Sequence, residues 1–414
     1  MTRPAAPRPP WAAPLAATAA IIAMAATVGA AAAVFLWSLD AVTRLRFAHP
    51  WLLWLLPAAG FAIATIYQKI GRTANGGNHL LLEEIHQPTS GVPRRMAPLI
   101  LLGTLASHLF GASVGREGTA LQIGGGIAAA FARHFHTKPE TVRTILMSGV
   151  AAGFGGVFGA PIAGAVFAIE VLGKCHRKLT ALIPCLLASS LAHLTCLTCG
   201  AKHLHYTVSA TLHWDLKLLG IIALIAFAAS AVADVFVLAS HTLTRQLTRL
   251  LPHPGWRAFA GGSLVVALVL LMGNRDYLGL GILAEYPSAT TLPAFFHGPT
   301  ASPIAWLWKA LFTLAVITTG FKGGEVTPLL FIGAALGNAI ASTFGAPFDL
   351  TAALGMVAIF AAATRTPIAS TLLGIEFFGL ALTLPLAIAC LTACSLSRSA
   401  GLYALPSNPS PTAS

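Results

Sequence analysis

Long apolar runs, separated by short polar or Gly- and Pro-rich stretches, follow one another from end to end of the chain. A helix needs about 20 apolar residues to cross a bilayer core of about 30 Å, and several runs have that length. Other runs are too short or too interrupted by Gly and Pro to cross, and such helices occur at membrane depth only where they line a polar cavity. The pattern predicts a polytopic, all-α membrane protein with helices over 12–38, 51–69, 96–112, 119–133, 145–172, 181–199, 216–240, 256–273, 303–320, 328–344, 350–364 and 367–397.

The composition agrees with that class and excludes soluble, disordered and fibrous proteins. Hydrophobic residues make up 56% of the chain and charged residues only 9%, against about 25% charged in soluble domains. The formal net charge of +12 would suggest nucleic acid in a soluble protein. Here the basic residues lie in short clusters between apolar runs, as in loops that meet anionic lipid, so we expect no nucleic-acid partner. These clusters include Arg44 and Arg46, Arg94 and Arg95, and Lys174, Arg177 and Lys178.

The chain repeats itself after about half its length. Residues 149–171 read GVAAGFGGVFGAPIAGAVFAIEV, and residues 355–377 read GMVAIFAAATRTPIASTLLGIEF. Upstream, GREGTALQIGGG matches GGEVTPLLFIGA at a similar separation. Repeated membrane units with interrupted helices are typical of transporters and channels, in which helix N-termini meet near the midplane. Free N–H groups and the positive end of the helix dipole would bind an anion at such a meeting point.

The repeat also predicts the domain organisation. We expect a disordered tail at 1–12, a first membrane repeat at 13–210, a second at 211–404 and a disordered tail at 405–414. Basic residues before the first apolar run resemble a signal peptide. The run itself is too long for a signal sequence and indicates an uncleaved first helix.

Several motifs together resemble the CLC family of anion channels and proton-coupled antiporters. They are GREGT at 115–119, GGEVTP at 323–328, the two Pro-Ile-Ala helices, and Gly401-Leu402-Tyr403. The resemblance covers residues from about 70 to 404. It implies an inverted repeat of two halves with broken helices meeting at a central anion site, and a homodimer with one pore in each subunit.

Three departures from the chloride branch of that family resemble its bacterial fluoride branch, the EriC-like fluoride/proton antiporters (CLC-F). Gly76-Gly77-Asn78-His79-Leu80 replaces Gly-Ser-Gly-Ile-Pro, and Thr119 replaces a Pro. Gly324-Glu325-Val326-Thr327-Pro328 replaces Gly-x-Phe-x-Pro. Val171 also lies where chloride antiporters have an internal glutamate.

The resemblance implies roles for two carboxylates and an anion site. Glu117 would be the gate and would carry the proton, and Glu325 would take part in proton coupling. Fluoride is strongly hydrated, so strong donors such as the Asn78 amide and the Thr327 hydroxyl suit it. The predicted anion-binding residues are Asn78, Gly115, Arg116, Gly118, Val326, Thr327 and Tyr403.

Structural alternatives exist for each of these residues. Glu117 and Glu325 could cap helices, Asn78 could belong to a turn, and Tyr403 could lie at the membrane interface. We expect Arg116 and Lys322 to lie at a water-facing mouth or to pair locally. We expect Glu170 and Glu376 to be structural, either capping a neighbouring helix or pairing with a basic loop residue.

The predicted function is export of toxic cytoplasmic fluoride in exchange for protons, across a bacterial inner membrane and in contact with its lipid. No cofactor, metal or enzymatic chemistry is expected. A chloride-selective CLC channel or Cl⁻/H⁺ antiporter and a passive fluoride channel stay open as alternatives. A metal site at Cys196 and Cys199, flanked by His193, His203 and His205, is also conceivable, although no second CxxC exists.

Overall fold

The computed structural model describes residues 12–88, 91–134, 139–173, 179–203, 206–210, 214–300 and 302–404. Within them the chain forms α-helices, short 3-10 helices and no strand, so the predicted all-α class is confirmed. The helices are α1 (Ala12–Ala48), α2 (Leu56–Lys69), α3 (Gly77–His86), α4 (Met96–Leu109), α5 (Glu117–His134), α6 (Pro139–Phe158), α7 (Pro161–Glu170), α8 (Leu182–Thr198), α9 (Leu216–Leu250), α10 (Pro254–Met272), α11 (Ala305–Ile317), α12 (Val326–Phe344), α13 (Phe348–Thr364), α14 (Pro367–Phe378) and α15 (Thr383–Leu396). The 3-10 helices are Pro50–Leu55, Arg72–Ala74, Leu179–Ala181, Pro293–Phe296 and Leu380–Leu382.

The chain contains both full-length spans and shorter apolar helices, as the sequence predicts. In the described part of the chain, 7 helical segments are long and apolar enough to cross a membrane. Others, such as α7 and α14, have only 10 and 12 residues, and these are too short for a complete crossing. This mixture confirms a multi-pass membrane protein with interrupted helices.

Two of the predicted helices are wrong because each is broken in the middle. The predicted helix over 145–172 is split between α6 and α7 at Gly159, whose φ is +76°, and Pro161 occupies the first turn of α7. The predicted helix over 367–397 is split between α14 and α15 at Gly379, where φ is +95°. A positive φ is easily adopted only by glycine, and proline cannot continue a helix on its N-terminal side.

The most deeply buried helices are the ones that carry the repeat. Nearly every residue in the second half of α6 and throughout α12 and α13 is buried. Small residues permit this packing: a Cβ on Gly124 would lie 2.1 Å from the Gly149 carbonyl oxygen, and one on Gly333 would lie 2.2 Å from that of Gly355. The α5–α6 and α12–α13 pairs therefore pack alike.

Two glutamates connect the two halves of the chain, and each accepts hydrogen bonds from a helix of the other half. Glu170 at the end of α7 accepts the N–H groups of Ile368 and Ala369 at the start of α14, at 3.0 and 2.7 Å. Glu376 in α14 accepts the N–H groups of Ile162 and Ala163 at the start of α7, at 2.9 and 2.8 Å. The predicted capping role of both glutamates is confirmed, and each cap belongs to the opposite half of the chain.

The predicted domain boundaries stay predictions. Helices α1 to α8 lie before residue 210, and helices α9 to α15 lie after residue 211. Residues 211–213 are outside the described residues. The predicted tails are outside them too, apart from Ala12, which begins α1.

Candidate functional site

The two repeated motifs meet at the N-termini of α5 and α12. Helix α5 begins at Glu117, and α12 begins at Val326 with Glu325 as its N-cap residue. The residues before the two helices pair as a single antiparallel bridge: the Gly324 N–H donates to the Gly115 carbonyl at 2.8 Å, and the Gly115 N–H donates to the Gly324 carbonyl. A Cβ on Gly324 would lie 2.6 Å from the Gly118 backbone nitrogen. The backbones therefore approach too closely for a side chain at position 324.

The Glu117 carboxylate lies at this junction. Glu117 is only 1% exposed. One of its oxygens, Oε2, accepts the backbone N–H groups of Thr327 at 2.9 Å and Arg116 at 3.0 Å. The other, Oε1, accepts the Thr327 hydroxyl and lies 3.5 Å from Arg116 Nε. The carboxylate thus reaches across to α12 and is held by two backbone donors, a hydroxyl and a guanidinium, which are groups that stabilise an anion.

Glu325 lies beside this arrangement without being held in the same way. It is half-buried at the N-cap of α12, and its side chain makes no capping hydrogen bond. The simple capping role considered for Glu325 therefore finds no support in the geometry. It directly follows Gly324, whose backbone pairs with that of Gly115, so Glu325 lies at the same junction as Glu117.

A narrow cavity next to the junction contains the remaining predicted side chains. We call it the Asn78 cavity; it has a volume of about 10 Å³ and is lined by Asn78, Leu81, Leu82, Leu121, Val150, Phe167, Val171 and Tyr403. Within the described residues, the Tyr403 hydroxyl and the Asn78 Oδ1 are buried and have no hydrogen-bond partner. A site of roughly 10–15 Å³ holds about one water molecule, so the cavity has the size of a single small ion.

Asn78 connects this cavity to the junction. It lies in the first turn of α3, a short helix that the sequence analysis did not predict. Its Nδ2 would lie 3.0 Å from a Cβ on Gly118, so the amide packs directly against the start of α5. The structure places all the predicted site residues at the junction or in the Asn78 cavity: Asn78, Gly115, Arg116, Glu117, Gly118, Glu325, Val326, Thr327 and Tyr403.

Two larger cavities carry basic side chains. The Arg116 cavity, of about 600 Å³, is lined by Arg44, Arg46, Arg116, Lys202 and Arg275, together with Asp40, Asp276 and Glu285 among others. The Lys322 cavity, of about 510 Å³, is lined by Arg72, Arg257 and Lys322 as well as Tyr67 and Asn75.

The two cavities share no lining residue. The C-terminal part of α1 contributes Arg44, Arg46 and Phe47 to the Arg116 cavity, whereas the last turn of α2 contributes Tyr67 to the Lys322 cavity. Arg116 and Lys322 flank the two motifs in sequence, and each lines one cavity while also making a local contact: Lys322 Nζ donates to Asn75 Oδ1 at 2.9 Å and lies 4.1 Å from the Tyr67 ring centroid.

Two buried cations were missed by the sequence analysis. Lys309 is fully buried in α11, and its Nζ donates to the carbonyl oxygens of Tyr277 at 3.1 Å and Gly279 at 2.7 Å. Arg46 is 6% exposed but was assigned to a basic loop cluster. The sequence does contain an indication of the buried lysine. Lys309 is a lone charge inside the apolar run 306–311, and an ionisable group at membrane depth needs a partner.

The structure gives no support to a metal site. Among the described residues, no group of three His, Cys, Asp or Glu side chains is arranged to hold a metal ion. The rings of His193 and His203 lie 5.2 Å apart between centroids, and Cys196 is buried in α8. His205 lies outside the described residues.

Comparisons with known proteins agree with the fold and the motifs. The family model described as voltage gated chloride channel matches residues 59–398. The chain is 42% identical over 402 residues to the chloride/fluoride channel protein of Pseudomonas syringae pv. tomato, covering 95% of this chain and 86% of the relative. It is 31% identical over 310 residues to the voltage-gated ClC-type chloride channel ClcB of Salmonella dublin, covering 72% of each protein.

Solved structures lead to the same family. A CLC-type fluoride/proton antiporter superposes with a TM-score of 0.90 at 31% sequence identity, covering 96% of this chain and 98% of the other. A slow cyanobacterial Cl⁻/H⁺ antiporter superposes with a TM-score of 0.79 over 92% of this chain, and at 19% identity it supports the fold alone. The chain is a multi-pass membrane protein that belongs to the voltage-gated chloride channel (CLC) family.

Proposed function

We propose that this protein is a fluoride/proton antiporter that exports fluoride from a bacterial cytoplasm. The main support for the proposal is the Glu117 carboxylate. At the junction of the two halves it accepts hydrogen bonds from donors that could equally bind a free anion. The similar proteins support the choice of ion, because one is named a chloride/fluoride channel protein and another a fluoride/proton antiporter. The predicted fluoride-branch motifs point in the same direction.

Competition between the carboxylate and the transported anion explains how a gate could work here. An anion that enters the junction meets the same donors that hold Glu117, and two anions repel each other in a buried site. Protonation removes the charge of Glu117 and weakens its hold on the Thr327 and Arg116 N–H groups. Those donors then become available to fluoride, so one proton bound by Glu117 is linked to one change in anion occupancy.

The donor set favours a small, strongly hydrated anion. Backbone N–H groups and the Thr327 hydroxyl are compact donors that can approach an ion closely. The Asn78 amide beside Gly118 adds a further donor next to the narrow Asn78 cavity. Fluoride loses more hydration than chloride on entering such a site, so only close donors can replace its water.

Proton coupling is assigned to Glu117 together with Glu325. Val171 lines the Asn78 cavity and cannot bind a proton. Glu325 is the acid on the other half of the repeat that directly follows Gly324, the residue that pairs with Gly115 at the junction. We propose that Glu325 exchanges the proton with Glu117 as the anion passes.

We further propose the setting of the transporter. The Arg116 cavity would face the outside and the Lys322 cavity the cytoplasm, in the bacterial inner membrane, where the protein would form a homodimer. Chemical crosslinking in native membranes tests the dimer, since a monomer band alone would contradict it.

The decisive experiment measures fluoride efflux from liposomes that contain the purified protein. A fluoride electrode and a parallel chloride measurement would be recorded under an imposed pH gradient, with the membrane potential clamped. We expect fluoride to move against its own gradient when the proton gradient favours it, with little chloride movement. Fluoride that only runs down its gradient would mean a passive channel, and equal chloride transport would overturn the assignment of the ion.

A further inference from the structure

Arg46 is a buried cation whose donors are not used. It lies in the last turn of α1 and lines the Arg116 cavity. Arg46 is only 6% exposed. Within the described part of the chain, its Nε and Nη1 have no hydrogen-bond partner. A buried donor without a partner has lost the hydrogen bonds that water would give it, and this loss is greater when the donor is charged. A guanidinium with two unpaired donors therefore indicates a missing acceptor.

Within the described residues, no carboxylate forms an ion pair with this guanidinium. Each acid that lines the Arg116 cavity is already engaged. Asp40 pairs with Arg44 at 2.7 Å, and Glu285 pairs with Arg275 at 2.7 Å. Asp276 accepts the hydroxyl of Tyr286 and the N–H of Thr290. Among the described residues, none of these acids comes within ion-pair distance of Arg46.

The surroundings of Arg46 are otherwise cationic or apolar. A Cβ on Gly279, whose φ is +56°, would lie 3.2 Å from Arg46 Nη1, so the glycine backbone packs directly on the guanidinium. The carbonyl of the same Gly279 accepts from Lys309 Nζ. Lys309 and Arg46 therefore both contact Gly279, so two positively charged side chains lie on either side of this glycine. The ring of Phe47, 5.1 Å from the guanidinium carbon, is a weak partner by comparison.

Arg116 extends this positive region to the junction. It lines the same cavity, and its Nε, which is buried and makes no hydrogen bond, lies 3.5 Å from Glu117 Oε1. An anion that leaves the junction on this side therefore passes from Arg116 into the cavity that contains Arg46. With about 600 Å³, the cavity also admits anions larger than a halide.

We propose that Arg46 forms a second anion site in the Arg116 cavity, which takes a small inorganic anion: fluoride in transit or a non-transported oxyanion such as phosphate. The part that concerns fluoride rests on the function proposed above, whereas the anion site itself does not. A guanidinium fork suits oxyanions in particular, because two parallel N–H groups match two oxygens.

The test is equilibrium binding of inorganic phosphate to the purified full-length protein in detergent, measured by isothermal titration calorimetry. We expect wild-type protein to bind phosphate and Arg46→Gln to bind it at least about tenfold more weakly, since charge-assisted hydrogen bonds are lost. Arg46→Lys, which keeps the charge without the fork, should lie between the two. Arg249→Gln is the matched control, because Arg249 is exposed in the last turn of α9 and lines neither cavity, and its binding should stay within about twofold of wild type.

A variant that should strengthen phosphate binding distinguishes loss of the site from loss of folding, because a misfolded protein would not bind more tightly. Glu285→Gln removes a negative charge that lines the Arg116 cavity and frees Arg275 from its ion pair, so phosphate should bind several-fold more tightly. Wild-type protein that binds neither phosphate nor fluoride at tens of millimolar, or an Arg46→Gln variant that binds phosphate as wild type does, would overturn the proposal.

A competition arm separates the two sources of the anion. Fluoride that displaces phosphate assigns the site to the transport path, and phosphate binding that fluoride leaves unchanged assigns it to a non-transported oxyanion. Coupled fluoride efflux without any anion binding at Arg46 would contradict the second anion site and leave the proposed function in place. Phosphate binding at Arg46 without fluoride transport would support the anion site and contradict the proposed function.

Discussion

At the scale of single residues, the proposed coupling of protons to fluoride depends most on the carboxylate of Glu117. Glu117→Gln keeps the shape of the side chain but removes its charge and its proton-binding site. We expect proton transport to be lost, because Glu325 then has no second carboxylate at the junction with which to exchange a proton. Parallel recordings of fluoride and pH in proteoliposomes would measure the change. Glu140→Gln, at an exposed position in the first turn of α6, is the control. Proton flux that survived Glu117→Gln unaltered would contradict the assignment.

Thr327 is the second residue for which the contacts predict a measurable effect. Its hydroxyl donates to Glu117 Oε1, and it would donate to fluoride in the same place. Thr327→Val keeps the branched shape and removes the donor. A hydrogen bond to a charged group is worth about 1.5–3 kcal/mol, so we expect the half-saturating fluoride concentration to rise by about tenfold or more.

Thr327→Ser distinguishes the hydroxyl from its methyl group. Serine restores the donor and should return the half-saturating concentration to within a few-fold of wild type. Initial rates of fluoride efflux over a range of fluoride concentrations would show both effects. If Val and Ser behaved alike, the hydroxyl would have no part in binding the ion.

At the scale of elements, Glu170 and Glu376 stabilise the meeting of α7 and α14. Each carboxylate accepts two N–H groups from the start of the helix in the opposite half. A carboxylate at a helix N-terminus is worth up to about 2 kcal/mol in a partly buried position. We therefore expect Glu170→Gln and Glu376→Gln to lower the apparent melting temperature by a similar amount, a few degrees each, with ion selectivity unchanged.

The equal size of the two effects is the informative part of that experiment. Asp40→Asn is a suitable control, since it breaks a solvent-exposed pair with Arg44 that contributes little. Differential scanning fluorimetry in detergent would measure all three variants. A large loss for one glutamate and none for the other would show that the two caps are not equivalent.

The sequence predicted most helices but not the places where the backbone turns within an apolar run. Hydrophobicity continues through Gly159 and Gly379, so the runs 145–172 and 367–397 look continuous although each contains two helices. Pro161 and Pro367 mark the helix starts that a stricter use of proline would have recognised. Helix α3 was missed for the opposite reason, since it begins with Gly77 and contains Glu83, Glu84 and His86 and therefore forms no apolar run.

At the scale of the whole molecule, the site could be predicted because it follows local motifs that occur twice. Glu117 and Thr327 lie far apart in sequence, yet the repeat indicated that their motifs are equivalent and meet. Arg46 and Lys309 belong to no repeated motif, and their proximity to Gly279 depends on how α1, α11 and the loop before α11 pack. Such a cluster becomes visible only in three dimensions.

The charge of the whole molecule leads to a last prediction, on the ionic-strength dependence of transport. The net charge is +12, and basic residues line the Arg116 and Lys322 cavities. Such mouths raise the local concentration of an anion. Screening shortens from about 30 Å at 0.01 M salt to about 10 Å at 0.1 M. We expect the efflux rate at low fluoride to fall several-fold over that range, while the rate at saturating fluoride changes little, because only capture of the ion depends on the long-range field.

Charge-neutralising variants show whether the effect arises at the mouths. Arg72 is exposed and lines the Lys322 cavity, so Arg72→Gln should reduce the dependence of the low-fluoride rate on ionic strength. Arg249 is exposed at the end of α9 and lines neither of these cavities, so Arg249→Gln should leave the dependence unchanged. Equal effects of the two variants would mean that the overall charge of the protein attracts fluoride. An effect of Arg72→Gln alone would mean that the field focused in the cavity does so.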